Sequence, residues 1–134
     1  SRIVPDSGLP DINSDIKSLE NYKLQYEALK KKMHEFPHKK FIIWTPAANT
    51  KLKSNEDEAL RTFGFRNWIV NEWDETGDNI YIWDFYNYET EGGIYLIDNN
   101  AHSPENSHPS VEFSARLAPL FGKFIVDVIE SRVD

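Results

Sequence analysis

The sequence predicts an α/β chain built on a parallel sheet. Two short unbroken apolar runs carry that prediction, Phe41-Ile42-Ile43-Trp44 and Ile80-Tyr81-Ile82-Trp83. Four apolar residues without alternation suit strands covered on both faces. Segments of helical periodicity alternate with the two runs, and such alternation implies βαβ units. Length fits one domain over residues 1–134. Two strands make a small sheet, so the pattern resembles the second half of an α/β domain whose first half is absent.

The elements follow in order. Ser1 to Ser18 is rich in Pro, Gly, Asp, Asn and Ser and reads as an irregular surface segment. From there Leu19, Tyr22, Tyr26, Leu29, Met33 and Phe36 recur at steps of three and four, one face of a helix. Ser18 is its expected N-cap and Pro37 its stop, with Lys30-Lys31-Lys32 near the C-terminal end where cations suit the helix dipole. The first strand, Phe41–Trp44, ends at Thr45-Pro46. Ser54-Asn55-Glu56-Asp57 is read as a capping box opening a second helix. Ala59, Phe63, Val70 and Trp73 are its expected buried stripe, flanked by Leu60 and Ile69. Thr76–Asn79 is a turn into the second strand, which ends at Asp84-Phe85-Tyr86-Asn87. Glu89 to Ser107 reads as a long loop with an extended piece at Ile94–Ile97, and long loops inside compact domains are usually functional. Phe113, Leu117, Leu120, Phe121, Phe124, Ile125, Val128 and Ile129 define a last helix. Pro119 within it predicts a kink or a restart.

Charge and composition remove several function classes. Fifteen Lys+Arg against 22 Asp+Glu give a net charge of −7, and no basic run exceeds three residues. An extended nucleic-acid surface is therefore not expected. No stretch is apolar enough to span a membrane. The absence of cysteine excludes disulfides, thiolate metal sites and a Cys nucleophile, and leaves the redox compartment open.

Ligands of open α/β sheets gather beyond the carboxyl ends of the strands. Here those ends are Thr45-Pro46-Ala47 and Asp84–Asn87, with the Glu89–Ser107 loop above. His108, just before the last helix, can reach over that edge. A carboxylate three residues earlier, Glu105, can accept its Nδ1–H and fix the tautomer of a general base. An exposed loop His beside an exposed Glu is the simpler reading of the same spacing. His34 and His38 are separated by a helix break, against a shared metal. His102 with Asp98 and Glu105 has no recognised ligand spacing. Trp44, Trp68, Trp73 and Trp83 read as core, and Gly92-Gly93 lacks the surroundings of a phosphate loop.

Five segments occur in one order: Leu19-Glu20-Asn21-Tyr22-Lys23, Phe41–Pro46, Phe65–Trp73, Trp83–Asn87 and His108-Pro109-Ser110. The series resembles the carboxyl-terminal half of the SGNH (GDSL-type) hydrolases over nearly the whole chain. The resemblance implies a partial flavodoxin-like three-layer fold with a parallel sheet, its amino-terminal half absent. It implies a serine-dependent carboxylic ester hydrolase, acting without metal or cofactor on a small-molecule or carbohydrate ester. His108 matches the family base. Glu105 stands where the family usually has Asp, with Asp98 and Asp84 as other candidates for the orienting acid. The family's Gly-Asp-Ser nucleophile block and oxyanion-hole residues have no counterpart here, and Asn13-Ser14-Asp15 lacks the preceding Gly. A missing amino-terminal segment or self-association is the expected partner. Two alternatives remain at this point: a non-catalytic α/β binding module, and a metal-dependent hydrolase using His102, His108, Asp98 and Glu105.

Overall fold

The computed structural model describes residues 2–134 as a mixed helix–strand α/β fold around a small parallel sheet. Strand β1 (Phe41–Trp44) pairs in parallel with β2 (Ile80–Trp83), Phe41 opposite Ile80 and Trp44 opposite Trp83. Side chains alternate across a strand, so this register sorts the eight residues onto two faces. Phe41, Ile43, Ile80 and Ile82 pack into one cluster with Met33, Phe65, Trp68, Ile69 and Trp73. Ile42 and Trp83 pack into another with Phe85, Phe113, Leu117, Phe121 and Phe124. Helices therefore cover both faces of the sheet.

On the first face lie α1 (Leu19–His34) and α2 (Glu56–Trp68). Ser18 caps α1 by accepting the Asn21 N–H, worth about 1 kcal/mol by comparison with caps elsewhere. The first-helix stripe holds for Leu19, Tyr22, Tyr26 and Met33, but Leu29 and Phe36 are exposed. Lys30 is buried instead. Its stem follows the core while its ammonium donates to the Trp73 carbonyl at 2.8 Å and pairs with Glu75 at 2.7 Å.

The capping box of α2 starts one residue later than the sequence pattern suggested. Asn55 accepts the Glu58 N–H and Glu58 reaches back to the Asn55 N–H. Thr62, Phe65 and Trp68 join Ala59 in the buried stripe, while Leu60 is exposed. A π-turn over Ile69–Trp73 follows directly, and Ile69 and Trp73 are both buried in it.

The second face belongs to α4 (Val111–Ile129), capped by Ser110 accepting the Phe113 N–H. The helix runs through Pro119 without a restart. Lys40, just before β1, donates to the Val128 and Ile129 carbonyls and so satisfies its C-terminal end.

Between β2 and α4 the chain is more regular than the sequence suggested. Phe85–Thr90 is a short helix, α3, where the reading had a strand end and a loop start. The Ile94–Ile97 piece is not a strand. An antiparallel hairpin lies further on, β3 (Ala101–Ser103) and β4 (Asn106–Pro109), turning at Pro104-Glu105. Thr50 pins it, since its hydroxyl donates to the Pro104 carbonyl and its N–H to Ser107 Oγ.

The strand expectation needs one correction. The first strand is only half-covered, and Trp44 remains 43 % exposed. Among the described residues no third strand pairs with either β1 or β2.

Candidate functional site

A cleft of about 520 Å³ opens at the carboxyl ends of β1 and β2. Ala47, Ala48 and Asn49 follow β1 into its wall, Phe85 and Glu89 come from α3, and Glu105 to Pro109 come from the hairpin. Arg2 and Lys53 complete the lining. The strand ends, the intervening loop and His108 do come together as the topology predicts.

His108 lies on β4, exposed at the cleft. Its Nδ1 is 2.6 Å from Asn106 Oδ1, and its backbone N–H donates to that same atom at 3.1 Å. An atom that accepts an amide N–H is the side-chain carbonyl oxygen, so Nδ1 carries the proton and donates as well. In the neutral ring Nε2 is then the lone-pair nitrogen, with no protein partner among the described residues. That is the tautomer a general base requires.

Glu105 occupies the exposed hairpin turn and lines the same cleft, but the hydrogen bond at His108 Nδ1 goes to Asn106. Asp84, at the end of β2, is engaged elsewhere. Arg66 holds both its oxygens and Thr45 donates to Oδ1, an arrangement that locks the strand end rather than serving the histidine. Asp98 is exposed in the turn before β3, and His102 is exposed on that strand.

Glu89 carries a signal that sequence reasoning missed. It is 1 % exposed, and its Oε2 accepts the Ala48 N–H at 2.7 Å. Burial pushes its carboxyl up to about 7, against the opposing pull of the Ala48 N–H. Its backbone carbonyl accepts the Ile97 N–H, and Asn100 Nδ2 bridges the Tyr88 and Glu89 carbonyls. Nothing in Tyr88-Glu89-Thr90 distinguishes this acid from a solvated one before the helix and its packing are known.

Next to the cleft is an apolar pocket of about 320 Å³, lined by Trp44, Phe113, Leu117 and Phe121 together with Phe85 and Pro109. The last two residues also line the cleft, so the pocket adjoins the wall that carries His108.

Metal-type groups gather elsewhere. Among the described residues, His34, Glu75 and Asp78 are the trio whose ligand atoms lie within 4.8 Å of one another. The set His102, His108, Asp98 and Glu105 does not form such a group. In the trio, His34 Nε2 already meets Asp78 at 2.8 Å, and Glu75 is held by Lys30, which draws its carboxyl below the usual range. Among the described residues no helix is long and apolar enough to cross a membrane.

Compared with protein-family models, curated proteins and solved structures, the chain finds no match.

Proposed function

We propose that the chain is the carboxyl-terminal portion of an SGNH-type hydrolase of flavodoxin-like fold, with His108 as the general base of carboxylic ester cleavage. The observation that carries this reading is the Asn106–His108 pair, which holds the proton on Nδ1 and leaves Nε2 basic beside a cleft at the strand ends. The ordered series of segments ending in His108-Pro109-Ser110 supports it.

In this mechanism His108 Nε2 takes the hydroxyl proton of a serine as its oxygen adds to the ester carbonyl carbon. The resulting imidazolium returns that proton to the leaving alkoxide when the C–O bond breaks, and an acyl-serine remains. Water then repeats the sequence, giving the carboxylic acid and the free serine. Asn106 orients the ring through a neutral hydrogen bond, so the ion-pair stabilisation of the imidazolium falls to a carboxylate nearby. Glu105 is the assigned candidate on the cleft wall, at one hairpin residue from Asn106.

The serine is supplied from outside these 134 residues. Ser107 accepts the Thr50 N–H and Ser110 caps α4, so both hydroxyl oxygens already serve the fold. A fluorophosphonate probe tests the assignment. It should label a serine in the longer polypeptide that encloses this sequence and leave the 134-residue chain unlabelled. Labelling of a serine within these residues, or none in either form, would contradict it.

A further inference from the structure

We propose that Glu89 is a second proton-bearing group of the His108 cleft, presenting a carboxyl O–H to a neutral acceptor oxygen, such as a carbonyl, of the bound ligand. The inference rests on the cleft being a ligand site, and not on ester hydrolysis taking place there.

Geometry carries the argument. Glu89 is buried in α3 yet lines the cleft, and its carboxyl has the Ala48 N–H as its one hydrogen-bond partner among the described residues. No cation lies within ion-pair distance of it among those residues. A buried carboxylate in that position lacks the compensation that normally keeps such a group charged, so the neutral acid is favoured. The Ala48 N–H occupies Oε2, which directs the acid proton to Oε1. Glu89 lines the cleft, so a ligand bound there meets this buried acid.

The surrounding groups set the ligand class. Arg2 comes from the amino-terminal segment, Lys53 from a 3-10 turn, Glu105 from the hairpin turn and His108 from β4. On the interior side Tyr86, held near 12 by burial, stays a neutral phenol. A protonated Glu89 donates to a carbonyl oxygen, whereas an ionised one repels it. The cleft therefore selects a neutral acceptor when Glu89 holds its proton and releases it as that proton leaves.

The experiment uses the 134-residue chain and N,N-dimethylacetamide, a carbonyl acceptor with no N–H and no cleavable ester. The Ala48 amide NMR shift should titrate with a midpoint near 7, and Glu89→Gln should abolish that titration while the amide stays protected from exchange. Binding of the amide should be about tenfold weaker one pH unit above the midpoint than one unit below it. In Glu89→Gln, which keeps a neutral donor, binding should persist without pH dependence. In His108→Ala the pH dependence should survive, which separates this proposal from the hydrolase reading. The Glu89 carboxyl carbon shift of the unsubstituted chain repeats the titration without a mutation. The proposal is overturned by a Glu89 midpoint in the ordinary carboxylate range, or by pH dependence that persists in Glu89→Gln or vanishes in His108→Ala. Absence of binding at both pH values overturns it as well.

Discussion

Asn106 Oδ1 receives two hydrogen bonds from one residue, the backbone N–H and the ring Nδ1–H of His108. The two-residue spacing along β4 makes this a local clamp, and it needs no contact from another element. It fixes the imidazole tautomer before any ligand or partner arrives. The orienting role that the spacing Glu105-x-x-His108 suggested is thus filled, for the ring geometry, by the residue next to that glutamate.

The first prediction follows from that clamp. Imidazole nitrogen NMR on the chain should show the Nδ1–H tautomer for wild type and for Glu105→Gln. Asn106→Ala should give a mixture of both tautomers, because Nδ1 loses its acceptor. A tautomer that switches in Glu105→Gln and survives in Asn106→Ala would return the role to Glu105.

Asp84 was the other acid within reach of the sequence argument, and its bonds to Arg66 and Thr45 make a different expectation. Asp84→Asn should lower stability by about 1.5–3 kcal/mol, the usual range for hydrogen bonds to a charged group. The same variant should leave the His108 tautomer unchanged. Urea unfolding and the nitrogen shifts together check both halves. A changed tautomer with unchanged stability would place Asp84 in the site instead.

Glu89 gives the chain a pH dependence whose sign is fixed by the direction of its shift. The folded group holds its proton up to about 7, while the unfolded group loses it near 4.5. Between those values the folded state binds more protons, so stability falls as pH rises through the window, by on the order of 3 kcal/mol. Glu89→Gln should flatten that fall. Urea midpoints measured across the window test it, and an equally steep decline in the variant would assign the effect to other groups.

An unpaired edge is the source of a fourth expectation. Residues 41 and 43 of the first strand, and Thr45 just past it, turn their N–H groups toward β2, which leaves the alternate amides of Ile42 and Trp44 on the open side. The half-exposed Trp44 ring beside Phe85 and Phe121 adds apolar surface to that edge. Unpaired edges of this kind invite strand addition. The chain should therefore elute at an apparent mass that rises with concentration, and Trp44→Lys should reduce the rise. A monodisperse monomer with a cooperative, high-temperature melt would contradict this.

Legibility in the sequence followed the strength of the periodic signal. The helices α1, α2 and α4 carry apolar stripes several turns long, and α1 has a polar cap at Ser18, so their existence is readable from the sequence. The four-residue apolar runs marked β1 and β2 because nothing polar interrupts them. Two elements escaped. Phe85–Thr90 is too short for a helical period to show, and its buried set of Phe85, Tyr86, Glu89 and Thr90 mixes polar with apolar residues. The hairpin Ala101–Pro109 has no apolar alternation, and its register is held from outside by Thr50. Lys30 and Glu89 were unreadable for a related reason: a charged side chain shows its burial only once the element packed against it is known. Of the candidate site, the placement of His108 beside the strand ends is legible from order and topology. The Asn106 clamp was not, because an Asn two residues before a His is unremarkable until the β4 backbone brings them together.

The proposal that His108 acts as a general base is tested most directly by the p-nitrophenyl acetate kcat of a polypeptide that joins these residues to the proposed serine segment. His108→Ala should lower kcat by about 10²–10⁴-fold without loss of folded protein. Full activity in His108→Ala, with the protein folded, would contradict the account.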